Sequence, residues 1–321
     1  MAKPRRIPFG LRARLIGLGL LGLLGLLAGC AATPPTAPSA TVSTVSTVSA
    51  LPEGASGWNH KTGISARRQM VATANPLASD AGLHILRAGG SALDAAIAAQ
   101  MVLSLVEPQS SGIGGGAFLM LWDGKQVQAW DGRETAPALA DERMFLDAQG
   151  KPLPLSQAVQ GGRAVATPGV VRMLEAAHRQ QGRLPWADLF EPAIALAEQG
   201  FAMSPRLHQQ LQGETLLRQD ALARAYFYAA DGEAQPVGQV MRNPALAAVL
   251  RGIANQGSVA LHEHAVAADM VRRVRTNAVP GQLSLADLKA YAPKLREPIC
   301  TDWQAQYRVC GFPPPSFGRG R

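Results

Sequence analysis

The sequence is poor in cysteine and in charge, and each shortage excludes a class of protein. Three cysteines in 321 residues cannot build a disulfide scaffold. Charged residues make up 17% and hydrophobic residues 47%, which excludes a disordered chain or a collagen and supplies ample apolar material for a core. The net charge of +8 would suit nucleic-acid binding only if it were clustered on the folded surface.

The excess positive charge lies at the two ends of the chain. Five basic residues stand in the first fourteen positions, and no acidic residue precedes Glu53. Two more, Arg319 and Arg321, belong to the last three residues, and subtracting these seven from +8 leaves +1 for the rest. A body with so little net charge has no basic surface that demands nucleic acid, and we expect no such partner.

The basic start is followed by an apolar segment over residues 15–27. Its thirteen residues are too few for a membrane-spanning helix, which needs about 20. Basic residues, a short apolar run and then small residues are the layout of a secretory signal peptide, which we predict for residues 1–29. Leu27-Ala28-Gly29-Cys30 resembles a bacterial lipobox and predicts acylation of Cys30, whereas an ordinary signal peptide ending near a cysteine is the alternative.

The lipobox implies an exported protein that is held on the periplasmic side of a membrane by its lipid. Attachment through two or more acyl chains is stable. Ala31 rather than Asp follows the cysteine, which favours the outer membrane over the inner one. Residues 31–49 are uncharged and consist of Ala, Thr, Pro, Ser and Val, so we predict a flexible tether over residues 30–64 and a folded region from residue 65.

Helix caps and glycines divide the folded region into helices and strands. An N-cap with proline predicts a helix from Asn75-Pro76 to Gly89-Gly90, and a capping box at 91–94 begins a buried helix over 93–106. Further helix starts are predicted at Thr167-Pro168, Asn243-Pro244 and Ser284, helix ends at Gly182 and Gly257, a β-hairpin over 118–130, and strands over 297–300 and 307–310. This order lacks regular βαβ alternation and favours an α+β or layered αββα fold.

The sequence carries no convincing cofactor or metal motif, and none is predicted. Residues 112–117 match the G-x-G-x-x-A pattern, but here a helix precedes the glycines and a strand follows, the reverse of a dinucleotide site. The glycines therefore indicate a place where two backbone segments cross too closely for side chains. Such a crossing either has a structural role only or brings the backbone close to a ligand. His262 and His264 point to different faces of a helix, which predicts a solvated or partly packed pair rather than a zinc site.

Arg133 is the candidate binding residue. It follows a predicted strand, and a guanidinium group on a rigid element suits recognition of a planar carboxylate through two parallel hydrogen bonds. A surface ion pair between Arg133 and Glu134 is the alternative.

Seven segments together resemble the γ-glutamyltransferase (γ-glutamyltranspeptidase) family, in order and at family-like spacing over about residues 66–318. They are residues 70–78, 89–96, 107–112 with the glycines after them, 131–137, 166–169, 285–291 and 313–316. The resemblance implies an N-terminal-nucleophile hydrolase with an αββα sandwich, whose precursor cuts itself into a large and a small subunit. It also implies that Arg133 pairs with the α-carboxylate of γ-glutamyl compounds such as glutathione.

In this family the threonine at the start of the small subunit attacks the γ-glutamyl bond, and the group passes to water, an amino acid or a peptide. Its own α-amine serves as the base. The 321 residues contain neither Thr-Thr nor Thr-x-His. We therefore expect a chain truncated before the small subunit, with a large-subunit-like region over 65–318, an incomplete sandwich and an aberrant tail at 319–321. No catalytic residue is predicted within the chain.

Three functions remain open at this point. The first is a portion of a γ-glutamyltransferase that is inactive without the small subunit of the same precursor. The second is a non-catalytic, lipid-anchored γ-glutamyl-binding pseudoenzyme, and the third is a fragment of a related cephalosporin acylase or polyglutamate hydrolase.

Cys300 and Cys310 fall on the two predicted strands near the end of the chain. In an exported protein a cross-strand disulfide between them would contribute about 2–4 kcal/mol. Two packed thiols are the alternative, and a thiol count on the unreduced, denatured protein distinguishes the two.

Overall fold

A computed structural model describes residues 62–316 of the chain. The predicted signal peptide at 1–29, the acylation of Cys30, the tether as far as residue 61 and the tail at 319–321 lie outside these residues and stay predictions.

The helices occupy a little under half of the described length. They are α1 (Pro76–Arg87), α2 (Ala92–Val106), α3 (Leu155–Ala158), α4 (Val170–Gln181), α5 (Glu191–Gln199), α6 (Pro205–Gly213), α7 (Ala221–Phe227), α8 (Pro244–Gln256), α9 (Val259–His262), α10 (Ala265–Arg275) and α11 (Leu285–Ala290). Single 3₁₀ turns cover Gly162–Ala164, Trp186–Phe190 and Leu217–Gln219. Within residues 62–316, none of the helices has the length and apolar character needed to cross a membrane.

The strands form three small antiparallel sheets. They are β1 (Ala117–Trp122), β2 (Val127–Gly132), β3 (Phe201–Ala202), β4 (Val240–Met241), β5 (Lys294–Arg296), β6 (Ile299–Trp303) and β7 (Tyr307–Gly311). The largest sheet has the order β1-β2-β5, while β3 pairs with β4 and β6 with β7. The predicted hairpin at 118–130 is confirmed as β1 and β2, and the mixture of helices with antiparallel strands confirms the α+β class.

The first two helices form as their capping residues indicate. The Asn75 side chain accepts the amide hydrogen of Leu77 at the start of α1. Ser91 and Asp94 complete a capping box at the start of α2, which is buried along most of its length. The Asp94 carboxylate also accepts the backbone amides of Arg183 and Leu184 at 3.0 and 3.2 Å, so it ties the start of α2 to the end of α4.

The predicted helix start at Thr167-Pro168 is wrong by a few residues, because α4 begins at Val170. Thr167 instead forms an antiparallel bridge with Thr135, in which each amide donates to the other carbonyl at 2.9 and 3.3 Å. The amides of Gly169 and Val170 both donate to the Gly115 carbonyl, at 3.0 and 3.1 Å. Hydrogen bonds to residues distant in sequence therefore keep the chain extended through Thr167, although Thr167-Pro168 by itself predicts the start of a helix.

The main core lies between β2 and the helices α2, α4, α5 and α8. Met173 of α4 packs so closely on β2 that a Cβ added to Gly132 would lie 2.5 Å from its Cβ. This packing fixes the end of β2, which is the point where the chain continues into Arg133.

His262 is wholly buried, so its prediction as a solvated or partly packed residue is wrong. It ends α9 beneath α11, where its Nδ1 lies 3.0 Å from the Leu288 carbonyl oxygen. Burial is the main cause that lowers the pKa of His262 below its ordinary value of 6.5. His264, two residues later, is exposed.

We expect this histidine to make folding sensitive to mild acid. The unfolded chain binds a proton at His262 near its ordinary pKa of 6.5, whereas the folded chain binds it only at lower pH. Its contribution to stability is therefore complete above about pH 6.5 and is lost as the pH falls. Urea unfolding at about pH 7.5 and 5.5 should show a smaller pH-dependent loss in His262→Gln than in the wild type. An equal loss in both would contradict this assignment, and His264→Gln, the matched control, should behave as the wild type does.

Candidate functional site

Arg133 directly follows β2, and its side chain is exposed. Among residues 62–316 its guanidinium group has no hydrogen-bond or ion-pair partner, and its carbon lies 6.0 Å from the centre of the Phe118 ring. The ring belongs to β1 and stacks at 4.3 Å against Phe312, which follows β7. An aromatic pair therefore lies beside an arginine whose hydrogen-bond donors are free.

The backbone of Arg133 is held on both sides. Its amide donates to Asp131 Oδ1 at 3.0 Å, and its carbonyl accepts the hydroxyl hydrogen of Tyr291 at 2.8 Å. Asp131 is buried, and its Oδ2 accepts two hydrogen bonds from Arg296 of β5, at 2.8 and 3.0 Å. A buried carboxylate that is paired and hydrogen-bonded in this way is a rigid support.

Glu134 does not pair with Arg133, so the surface ion pair considered from the sequence is not formed within the described residues. The Glu134 carboxylate instead accepts the amide hydrogen of Gly116 at 2.7 Å. Thr135, next along the chain, pairs with Thr167. Each residue from 133 to 135 is thus fixed by a partner on another segment, and the Arg133 side chain is left free.

Gly116, the last glycine before β1, lies where these segments cross. A Cβ added at Gly116 would lie 2.6 Å from Glu134 Oε2 and 2.7 Å from the Gly132 carbonyl oxygen, which is too close for any side chain. The order of helix α2, glycines and then strand β1 is the one predicted, and it is the reverse of a dinucleotide site. Gly116 is therefore needed to let two backbones meet beside Arg133.

Burial first, and then the negative charges of Asp131 and Glu134, raise the pKa of Tyr291 to about 12. The hydroxyl therefore stays protonated and remains a hydrogen-bond donor throughout the neutral range. Among the described residues of this neighbourhood, the positive charge of Arg133 has no partner, while that of Arg296 is paired with Asp131.

This arrangement can bind a carboxylate group. A free guanidinium fork on a fixed backbone can donate two parallel hydrogen bonds to a planar anion without first breaking another ion pair. Among the described residues, no group of three or more His, Cys, Asp or Glu side chains could hold a metal ion.

The two cysteines lie opposite each other in the β6–β7 hairpin and are joined by a disulfide, with their Cα atoms 4.1 Å apart. The hairpin carries the chain back to Phe312, beside Phe118. The predicted strand over 297–300 lies two to three residues later in the structure, as β6.

The sequence predicts Arg133 as a binding residue but does not reveal the residues that hold its backbone. Tyr291 and Arg296 lie more than 150 positions away, and no spacing in the sequence connects them with Arg133. Tyr291 did lie within one of the family-like segments, and it is a large residue directly after a predicted helix. Its position after a helix indicates that Tyr291 is packed, but it does not indicate which residue Tyr291 contacts.

Comparison with known proteins finds a matching family model and similar sequences. The family model described as gamma-glutamyltranspeptidase matches residues 78–319. Glutathione hydrolase 2 of Arabidopsis thaliana is 39% identical over 260 residues, which cover 79% of this chain and 43% of that protein. The chain spans less than half the length of the curated relatives it matches.

The solved structures agree with the sequence comparison. The crystal structure of Helicobacter pylori gamma-glutamyltranspeptidase is similar with a TM-score of 0.75 and 30% identity, covering 79% of this chain and 72% of that one. The crystal structure of cephalosporin acylase from Bacillus halodurans is also similar, with a TM-score of 0.67 and 32% identity, covering 80% of this chain and 49% of that one. These likenesses confirm the predicted N-terminal-nucleophile hydrolase fold, of which the chain represents a part.

Proposed function

Because the chain belongs to the γ-glutamyltranspeptidase family, we propose that it supplies the part of a glutathione hydrolase that recognises the γ-glutamyl group. The free guanidinium group of Arg133, on a backbone fixed at both sides, is the observation that carries this proposal. In this function Arg133 binds the α-carboxylate of the γ-glutamyl group and thereby orients the γ-carbonyl carbon for attack.

Cleavage of the γ-glutamyl bond needs a nucleophile, and we do not assign that role to any of the described residues. A threonine hydroxyl attacks the γ-carbonyl carbon, and its proton passes to the threonine α-amine. The nitrogen of the γ-glutamyl bond then takes up that proton as the carbon–nitrogen bond breaks, so that the amine leaves and the γ-glutamyl group stays on the threonine oxygen as an ester. Water or an amino acid then takes the γ-glutamyl group. We place this threonine on a second subunit, as the resemblance to the family implies.

It follows that the 321-residue chain alone should not hydrolyse γ-glutamyl-p-nitroanilide, because binding and bond cleavage lie on different subunits. The measurement is the release of p-nitroaniline by the purified chain. Hydrolysis faster than in a buffer blank would contradict the placement of binding and bond cleavage on different subunits.

We also propose that the protein is exported and held at a membrane through acylated Cys30. The basic start, the thirteen apolar residues and the lipobox-like segment before Cys30 support this location. A lipid-anchored protein would meet glutathione-like substrates on the periplasmic side.

Recognition of the α-carboxylate has a direct test with two small ligands. L-glutamine is the simplest γ-glutamyl amide, and L-glutamine amide differs from it only in the α-carboxylate. We expect the chain to bind L-glutamine roughly 10- to 100-fold more tightly, because charge-assisted hydrogen bonds are worth about 1.5–3 kcal/mol. Titration followed by amide chemical shifts measures both affinities. Equal affinities would remove the basis of the proposed function.

A further inference from the structure

We propose that Tyr291 is a positioning residue for Arg133: its hydroxyl group holds the Arg133 carbonyl so that the guanidinium group is set before a ligand arrives. The inference rests on the proposed function, in which Arg133 binds a carboxylate. Tyr291 itself is placed at the backbone of Arg133, away from any ligand, and acts through it.

The first support is the two-sided attachment of Arg133. The Asp131 carboxylate holds its amide at 3.0 Å, and the Tyr291 hydroxyl holds its carbonyl at 2.8 Å. The Asp131 attachment belongs to the same strand end, within two residues. The Tyr291 attachment spans 158 positions, so it joins the peptide of Arg133 directly to a separate element, the end of helix α11.

The second support is that Tyr291 is itself held firmly. Its amide donates to the Asp287 carbonyl, and its own carbonyl accepts a hydrogen bond of 2.6 Å from Arg172 Nη1 of α4. Asp287 closes the capping box of α11 and also accepts the amide hydrogen of Ala138 at 2.9 Å. Helix α11 therefore contacts the segment after β2 at two points, of which Tyr291 is the one nearer to the guanidinium group.

The third support is the tight fit around the hydroxyl. A Cβ added at Gly169 would lie 2.1 Å from the Tyr291 hydroxyl oxygen and 2.3 Å from the Gly132 carbonyl oxygen. The phenol ring is buried, and the hydroxyl reaches the Arg133 carbonyl through a gap that only glycine leaves open. A side chain held this closely can transmit its own position to the peptide that it binds.

Loss of the hydrogen bond between Tyr291 and Arg133 should weaken ligand binding because the Arg133 side chain becomes less ordered in the free protein. With the hydroxyl removed, the Arg133 peptide can rotate about its remaining attachment to Asp131, and the guanidinium group must then be ordered when the ligand binds. We expect Tyr291→Phe to lower the affinity for L-glutamine roughly 3- to 10-fold and to leave the affinity for L-glutamine amide unchanged.

Tyr228 offers a matched control. Its ring is buried, and its hydroxyl donates to a backbone carbonyl, that of Leu211, at 3.1 Å. Tyr228→Phe therefore removes the same group from the same kind of bond at a place that does not contact Arg133. A loss of affinity for L-glutamine that is common to both variants reflects lower stability of the fold. A loss confined to Tyr291→Phe reflects the positioning of Arg133.

The deciding experiment measures the order of the Arg133 side chain in the ligand-free, full-length chain. The {¹H}–¹⁵N NOE of the Arg133 Nε–Hε group, assigned by its loss in Arg133→Lys, should fall in Tyr291→Phe and stay at the wild-type value in Tyr228→Phe. A wild-type NOE in Tyr291→Phe would overturn the proposal. This readout needs no ligand. If the wild type failed to prefer L-glutamine over its amide, the proposed function would fail while the positioning role was still decided by the NOE.

Discussion

Replacing Arg133 with methionine should lower the affinity for L-glutamine roughly 10- to 100-fold while leaving the affinity for L-glutamine amide unchanged. Methionine keeps most of the apolar stem of the side chain but removes the guanidinium group beside Phe118, with its positive charge and all five donors. The wild-type arginine has no ion pair among residues 62–316 that the substitution would break, so the loss should fall on ligand binding and spare stability.

Two further variants sharpen this result. Arg133→Lys keeps the charge but loses the two-pronged geometry, and its affinity for L-glutamine should lie between those of the wild type and the methionine variant. Arg308→Met removes an exposed arginine from β7 and should bind both ligands as the wild type does. A methionine variant at position 133 that still preferred L-glutamine over its amide would show that another group reads the carboxylate.

Replacing Gly169 with alanine should destabilise the fold by about 3 kcal/mol or more, near the upper end for overpacked sites. The added Cβ would lie 2.1 Å from the Tyr291 hydroxyl oxygen, 2.3 Å from the Gly132 carbonyl oxygen and 2.5 Å from the Tyr291 ring. Movement of Tyr291 alone cannot relieve all three contacts, because the Gly132 carbonyl belongs to the backbone of β2. Helix α4 or the end of β2 must therefore shift.

The matched control is Gly114→Ala. A Cβ added at Gly114 meets nothing within 4 Å, so this change should cost less than about 1 kcal/mol, chiefly through the backbone. Urea unfolding of the two variants and the wild type, analysed with the same dependence of the unfolding free energy on urea concentration, measures the difference in stability. Equal stability of Gly169→Ala and Gly114→Ala would contradict the close packing of α4, α11 and β2 around Arg133.

Local signals in the sequence predict the elements whose ends are determined locally. The starts of α1, α2, α8 and α11 coincide with Asn or Ser caps because each cap binds an amide two or three residues away. The β1–β2 hairpin follows from its Asp123-Gly124 turn between two apolar segments. In these cases, the residues that decide the structure are neighbours in the chain.

Distant partners decide the features that the sequence leaves open. Thr167 stays extended because it pairs with Thr135, which shifts the start of α4. His262 is buried because α11 covers it, a contact made 26 positions away. Arg133 could be predicted from its place after a strand and from the family-like segment around it. Its support by Tyr291 could not, because that contact exists only once α4, α11 and β2 have assembled.

The most direct test of the account is the side-chain spectrum of Arg133 during titration with L-glutamine. If Arg133 binds the α-carboxylate, its Nε–Hε signal should move downfield and saturate with the affinity measured from the backbone amides. L-glutamine amide should leave that signal in place. An Arg133 signal that stays still with L-glutamine, or moves equally with both ligands, would contradict the assignment of this arginine as the carboxylate-binding residue.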